Sequence, residues 1–157
     1  MAIRNIRRGD DPVLRKKSLP ITKVDSLVHK ILEDMLDTMY DSEGVGLAAP
    51  QVGIPKRLIV IDTREEEPLA LINPEIISTS GEEVSIEGCL SFPGKAGEVP
   101  RALEVTVHAL NCRGEKICIK AQGLLARALQ HEIDHLDGVL FVDRVLRFVE
   151  PEVEKRD

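Results

Sequence analysis

The chain has 157 residues, 43% of them hydrophobic and 31% charged, with a formal net charge of −6. That length supports one core and leaves too little for a second, so a single domain over residues 1–157 is expected, and the acidic balance argues against a protein that coats DNA. The three cysteines lack paired spacing, and neither an apolar leader nor an apolar run of membrane-spanning length is present, which predicts a reducing, cytoplasmic setting with no membrane partner.

The chain opens on an irregular arm, with a turn at Asp10-Asp11-Pro12 and Leu19-Pro20-Ile21 closing it against the body. Arg4, Arg7, Arg8, Arg15, Lys16 and Lys17 make a basic strip along it, read as a solvated face that also suits an RNA-rich partner such as a ribosome. From Asp25 the pattern becomes helical. Leu27, Val28, Ile31, Leu32, Met35, Leu36 and Met39 recur at three- and four-residue spacing, with Lys30, Glu33, Asp34 and Asp37 opposite and Asp25 or Ser26 as the cap. This is a packing helix whose methionines fill the core.

Gly44 to Gly53 holds three glycines and Pro50, so it is neither helix nor strand throughout, and another backbone can approach it closely. Its Gln51 offers a side-chain amide able to donate to an oxygen, or simply to satisfy a loop carbonyl. Arg57–Asp62 reads as a strand, Glu65 to Glu67 as a charged turn, and Leu69–Ile72 as a second strand broken by Asn73-Pro74. Ile76 and Ile77 start a third, and Glu82-Glu83 leads into the segment around Cys89. Leu103, Val105, Val107 and Ala109 alternate with Glu104, Thr106 and His108, and Ile117 and Ile119 alternate on the return strand, so a hairpin turns at Asn111–Glu115. Strands in hairpin-like succession with two helices give an α+β class with mainly antiparallel sheets. His108 falls on the wet face of its hairpin. Cys112 and Cys118 read as small buried apolar residues.

Chemistry concentrates in Leu124 to Gly138, LLARALQHEIDHLDG, a proline-free helical run ending at a glycine cap. At about 100° per residue, His131 and His135 stand roughly 40° apart and one turn apart, with Glu132 about 60° beyond His135. The two imidazoles can each give a nitrogen to one divalent metal, and the carboxylate, too far round to ligate easily, is placed to handle the proton of a water in an open position. A solvated amphipathic helix would carry the same letters, but the leucines around them argue for burial, and buried imidazoles need a partner. The third ligand is open between Glu152 or Glu154, in a charged terminal tail as in thermolysin-like peptidases, and Cys89, which sits after Gly88 and before an apolar Leu90 and a Phe-Pro-Gly turn. Cys89 is the better placed. Glu87 is equally a surface acid or a group that orients a ligand.

Three stretches, GVGLAAPQ at Gly44 to Gln51, EGCLS at Glu87 to Ser91 and QHEIDHLDG at Gln130 to Gly138, resemble in order and spacing the peptide deformylase family. DPVLRKKS from Asp11, INPEI at Ile72 and VPRA at Val99 extend the resemblance over nearly the whole chain. It implies antiparallel sheets around a central helix carrying HExxH, plus the amino-terminal packing helix. The implied activity is metal-dependent removal of the formyl group from the N-terminal N-formylmethionine of newly made polypeptides, releasing formate. Carried onto these residues, it implies Cys89, His131 and His135 as ligands, Glu132 as the proton carrier, and the Gln51 amide and Leu90 backbone N–H as oxyanion donors. Gly44, Val45 and Gly46 would receive the extended formyl-Met peptide, with Val45, Leu124 and Ala128 near its side chain. One divalent ion is expected, Fe2+ in the cell and Zn2+, Ni2+ or Co2+ in a purified sample, in a monomer that touches the ribosome transiently. The short tail after Asp143, which holds Pro151, does not support a long carboxy-terminal helix.

Overall fold

In the computed structural model, residues 2–150 are described. Two helices dominate, α1 (Ser26–Asp41) and α2 (Gly123–Leu136), followed by the short α3 (Phe141–Arg144). Eight strands, β1 (Gly46–Ala48), β2 (Leu58–Ile61), β3 (Leu69–Ser80), β4 (Glu83–Gly88), β5 (Ala96–Arg101), β6 (Glu104–Leu110), β7 (Lys116–Gln122) and β8 (Arg147–Val149), build two sheets. One runs in the order β1-β2-β3-β6-β7, the other β4-β5-β8. Every pairing within the two sheets is antiparallel, as the hairpin-like succession of strands requires.

The apolar stretch Leu58–Ile61 lacks alternation because both faces of β2 are buried. Ile59 and Ile61 face α2, packing with Ala126, Leu129, Ile133 and Leu136 and with Leu71, Val105 and Val107. Leu58 and Val60 face α1, where Ile31, Leu32, Met35 and Met39 pack with Ile72 and Leu47. The five-stranded sheet is therefore sandwiched between helices at its β2 side. Asp25 caps α1 by accepting from the Val28 N–H, and both methionines are fully buried, as core filling requires.

Four expectations need correction. Asp34 is not on the wet face of α1 but 1% exposed, because Arg4 and Lys30 reach it at 2.9 Å each and offset its desolvation. Asn73-Pro74 does not end a strand: β3 continues through a register shift between Ile72 and Glu75, with Asn73 at φ 52°, and a bulge absorbs the proline. Cys112 and Cys118 are exposed rather than buried, since one lies in the hairpin turn and the other on the wet side of β7. Leu27 and Leu103, placed on apolar stripes, sit at the ends of their elements and are 64% and 41% exposed. The arm also holds a 3-10 turn, Pro12–Arg15, capped by Asp11, and three of its cations are engaged: Arg4 with Asp34, Arg7 with Asp11, Arg15 with Asp143.

Candidate metal centre

The stretch read as helical is α2, and it ends where glycine permits: Gly138 adopts φ 74°, and a Cβ there would stand 2.5 Å from the Arg15 carbonyl oxygen. Its last two turns carry His131, Glu132 and His135, all buried. β4 runs toward them and delivers Glu87 at its end and Cys89 just beyond. The Cys89 Sγ lies 3.3 Å from His135 Nε2, and one ligating atom from each of Cys89, His131 and His135 falls within 4.8 Å of the others. These three were the preferred set. His108 is exposed on β6, outside the cluster, while Glu152 and Glu154 lie outside the described residues.

Glu87 decides how His131 is presented. It is buried, and the His131 Nδ1–H donates to its Oε1 at 2.9 Å. A carboxylate only accepts, so Nδ1 carries a proton and Nε2 is the nitrogen that would ligate once it is deprotonated. Arg101 holds Glu87 through Nε at 2.8 Å and Nη2 at 2.9 Å, and Arg127 through Nη1 at 2.6 Å. Arg101 also donates to Asp134 at 2.6 Å, tying β5 to α2. Burial works against the charge of Glu87, but the Arg101 and His131 hydrogen bonds prevail and hold it well below the usual carboxylate range. Arg127, Arg101 and Asp134 were missed as site residues. For Asp134 the signal was present, an acid one turn after His131 on the side facing VPRA.

Glu132 is buried like Glu87 but differs in its partners. Its Oε1 has none among the described residues, and burial pushes its carboxyl up to about 7. Gly46 makes room for it: a Cβ there would come within 2.7 Å of Glu132 Oε2. The imidazoles are also split. Burial drives His135 well below its ordinary value, whereas for His131 burial is outweighed by Cys89, Glu132 and Glu87, which raise it to about 10 in the metal-free chain.

Gln51 is 1% exposed, and its Oε1 accepts from the Ala48 N–H at 2.9 Å. Its Nε2 donates to Ser91 Oγ at 3.1 Å and, more weakly, toward Cys89 Sγ at 3.5 Å. Ser91, unremarked in the sequence, also sends its N–H toward that sulfur at 3.4 Å. The Leu90 N–H donates to no backbone carbonyl among the described residues. A cavity of about 450 Å³ opens over the cluster, and Gly44, Val45, Gly46, Leu124 and Ala128 all line it.

The donor set suits a metal. Around a tetrahedral ion with bonds of about 2.0–2.3 Å, a sulfur and a nitrogen ligand stand roughly 3.5 Å apart, close to the 3.3 Å between Cys89 Sγ and His135 Nε2. A softer thiolate, two imidazoles with one tautomer fixed, and a buried carboxylate beside the remaining corner also agree with it.

A thiol, two imidazoles and a buried acid at the floor of an open cavity, on an α+β frame of antiparallel sheets, are the makings of a metallohydrolase. A sequence model of the polypeptide deformylase family matches residues 3–150. The peptide deformylase of Natranaerobius thermophilus is 59% identical over 145 residues, 92% of this chain and 93% of that one. The crystal structure of the Thermotoga maritima peptide deformylase superposes with a TM-score of 0.89 at 47% identity, covering 92% of this chain and 99% of its own. That of the Synechococcus elongatus enzyme in complex with actinonin does so at 0.86 and 48%, covering 89% and 77%. This chain belongs to the polypeptide deformylase family, metallohydrolases that remove the N-formyl group from nascent peptides.

Proposed function

We propose that this chain deformylates the N-formylmethionine end of new polypeptides through Cys89, His131 and His135 as the ligands of one divalent metal, with α2 as the central element of the site and α1 as a packing helix. The observation that carries this reading is the grouping of those three ligating atoms within 4.8 Å beside the unpartnered carboxylate of Glu132. Fe2+ is the ion proposed in the cell, and Zn2+, Ni2+ or Co2+ in a purified sample, since this donor set accepts all four. When bound, the ion supplies Lewis acidity and lowers the pKa of water.

The chain's own residues do the rest. The formyl-Met peptide lies extended along Gly44, Val45 and Gly46, which line the cavity. Its thioether enters the cavity between Val45, Leu124 and Ala128, all apolar, the first two exposed and the third buried. Glu132 takes a proton from the attacking water and returns it to the amine nitrogen as the C–N bond breaks and formate leaves, a task open to a buried carboxylate whose Oε1 has no partner among the described residues. The oxyanion on the formyl carbon is held by the Leu90 N–H and by the Gln51 Nε2 hydrogen now directed at Cys89, the weaker of its two bonds.

The same reading takes residues 1–157 as one catalytic domain, monomeric and cytoplasmic. No helix among the described residues is long and apolar enough to cross a membrane. Ribosome contact falls to Arg8, Lys16 and Lys17, the strip residues without an ion-pair partner among the described residues. The test is an anaerobic formate-release assay on formyl-Met peptides with iron, repeated with nickel, on wild type, Cys89→Ala and Glu154→Ala. Loss of metal and turnover in Cys89→Ala alone supports the ligand set, and loss in Glu154→Ala with metal kept in Cys89→Ala overturns it.

A further inference from the structure

Cys89 sits in a loop rather than on a helix or strand, so its thiolate needs to be held from outside that loop. Besides the two imidazoles, two groups approach its sulfur: the Gln51 amide at 3.5 Å and the Ser91 N–H at 3.4 Å, and these two residues are themselves joined by the 3.1 Å bond from Gln51 Nε2 to Ser91 Oγ. Both are gripped from behind by one short piece of the amino-terminal arm. The Arg7 N–H donates to the Gln51 carbonyl at 2.6 Å, and the Gly9 N–H donates to the Ser91 carbonyl at 2.9 Å.

The arm is anchored on either side of that grip. Upstream, the Arg4 N–H and guanidinium bond Thr38 and the buried Asp34 of α1. Downstream, Arg15 bonds Asp143 and the Ser18 N–H donates to the Leu136 carbonyl at the end of α2. The Arg7 guanidinium packs on Gly53, the residue that ends the turn carrying Gln51. Gly9 stands at φ 57° with open space around it, so its backbone, not a side-chain contact, is what the position requires.

We propose that Arg7 and Gly9 are positioning residues: their backbone N–H groups form a strap that fixes Gln51 and Ser91 against the Cys89 sulfur and so sets how tightly the centre keeps its metal. This rests on Cys89 being a ligand. The strap acts on one ligand only, because His131 and His135 are held by α2 and Glu87. Loosening it therefore speeds metal loss through the sulfur while the helix-borne half of the site stays in place.

The test uses the full chain loaded with Zn2+, with release to a chromophoric chelator timed for wild type, Arg7→Pro, Arg7→Ala, Gly9→Ala and Cys89→Ala. Cobalt-loaded samples report the thiolate charge-transfer band. Arg7→Pro deletes the N–H and Arg7→Ala keeps it, so the first is expected to release metal about fivefold faster, the worth of one hydrogen bond, and the second to match wild type. Gly9→Ala, strained at its positive φ, is expected to follow Arg7→Pro with a shifted cobalt–thiolate band and a melting midpoint within about 4 °C of wild type. Wild-type release and an unshifted band in Gly9→Ala overturn the strap, and that variant decides the matter if Arg7→Pro does not fold. Retention of metal by Cys89→Ala overturns instead the ligand reading beneath it.

Discussion

Replacing Glu87 by Ala removes the acceptor shared by four N–H groups on three residues: Nε and Nη2 of Arg101, Nη1 of Arg127 and Nδ1 of His131. The Arg101 and Glu87 side chains are only 3% and 6% exposed, so water does not easily replace the lost partner. Stripping one member from a buried ion pair costs about 3–5 kcal/mol, against about 0–1 for a solvent-facing pair such as Arg144 with Asp134, where the Arg144 side chain is 46% exposed. In a domain of this length that is a fall in melting temperature on the order of 10 °C for Glu87→Ala, and no more than roughly 4 °C for Arg144→Ala. Urea unfolding of the metal-free chains separates the stability term, and chelator competition on loaded chains reads the second effect, an affinity loss of about 10–100-fold as His131 loses its fixed tautomer. Equal unfolding midpoints for the two variants, or unchanged metal affinity in Glu87→Ala, would refute the account of the buried network.

Gly46→Ala is expected to lower kcat about 100-fold with metal content unchanged, since the added Cβ would meet Glu132 Oε2 at 2.7 Å and a displacement near 1 Å costs about that much; wild-type kcat in a metal-replete variant would contradict it. Asp34→Asn tests a pH dependence. The hydrogen bond from Lys30, then that from Arg4, holds the folded-state pKa of Asp34 below its ordinary 3.8, so the folded state binds its proton less readily than the unfolded state and this contribution falls as pH falls. The stability gap between wild type and Asp34→Asn should be constant from neutral pH down to about 5 and close below the ordinary 3.8. A gap that widens on acidification has the wrong sign for this reasoning.

Helices α1 and α2 and strands β6 and β7 could be read from periodicity because each has one buried face, and β2 from its β-branched content. The break at Asn73-Pro74 could not, because local propensity predicts an end to the strand while pairing with β6 carries it through a bulge. Nor could β1, β4, β5, β8, α3 and the 3-10 turns, which are short or set by distant partners rather than by their own pattern. At the site, the grouping of His131, Glu132 and His135 was legible because one helix fixes their relation, whereas spacing left the third position open between Cys89 and Glu152 or Glu154, and only the segment around Cys89 and the family resemblance favoured the cysteine. Arg101, Arg127 and Ser91 were not. Their roles arise where β5, α2 and a loop meet, and no sequence spacing encodes that meeting.

The outer strand of the five-stranded sheet has its own bearing on behaviour in solution. Among the described residues no strand pairs with the outer side of β7, which leaves one row of its amide and carbonyl groups open, and its exposed side chains include Lys116 and Lys120. A second molecule aligning its own β7 there, antiparallel and centred on Cys118, would set Lys116 against Lys120 twice over, and that mutual repulsion disfavours runaway sheet growth between copies.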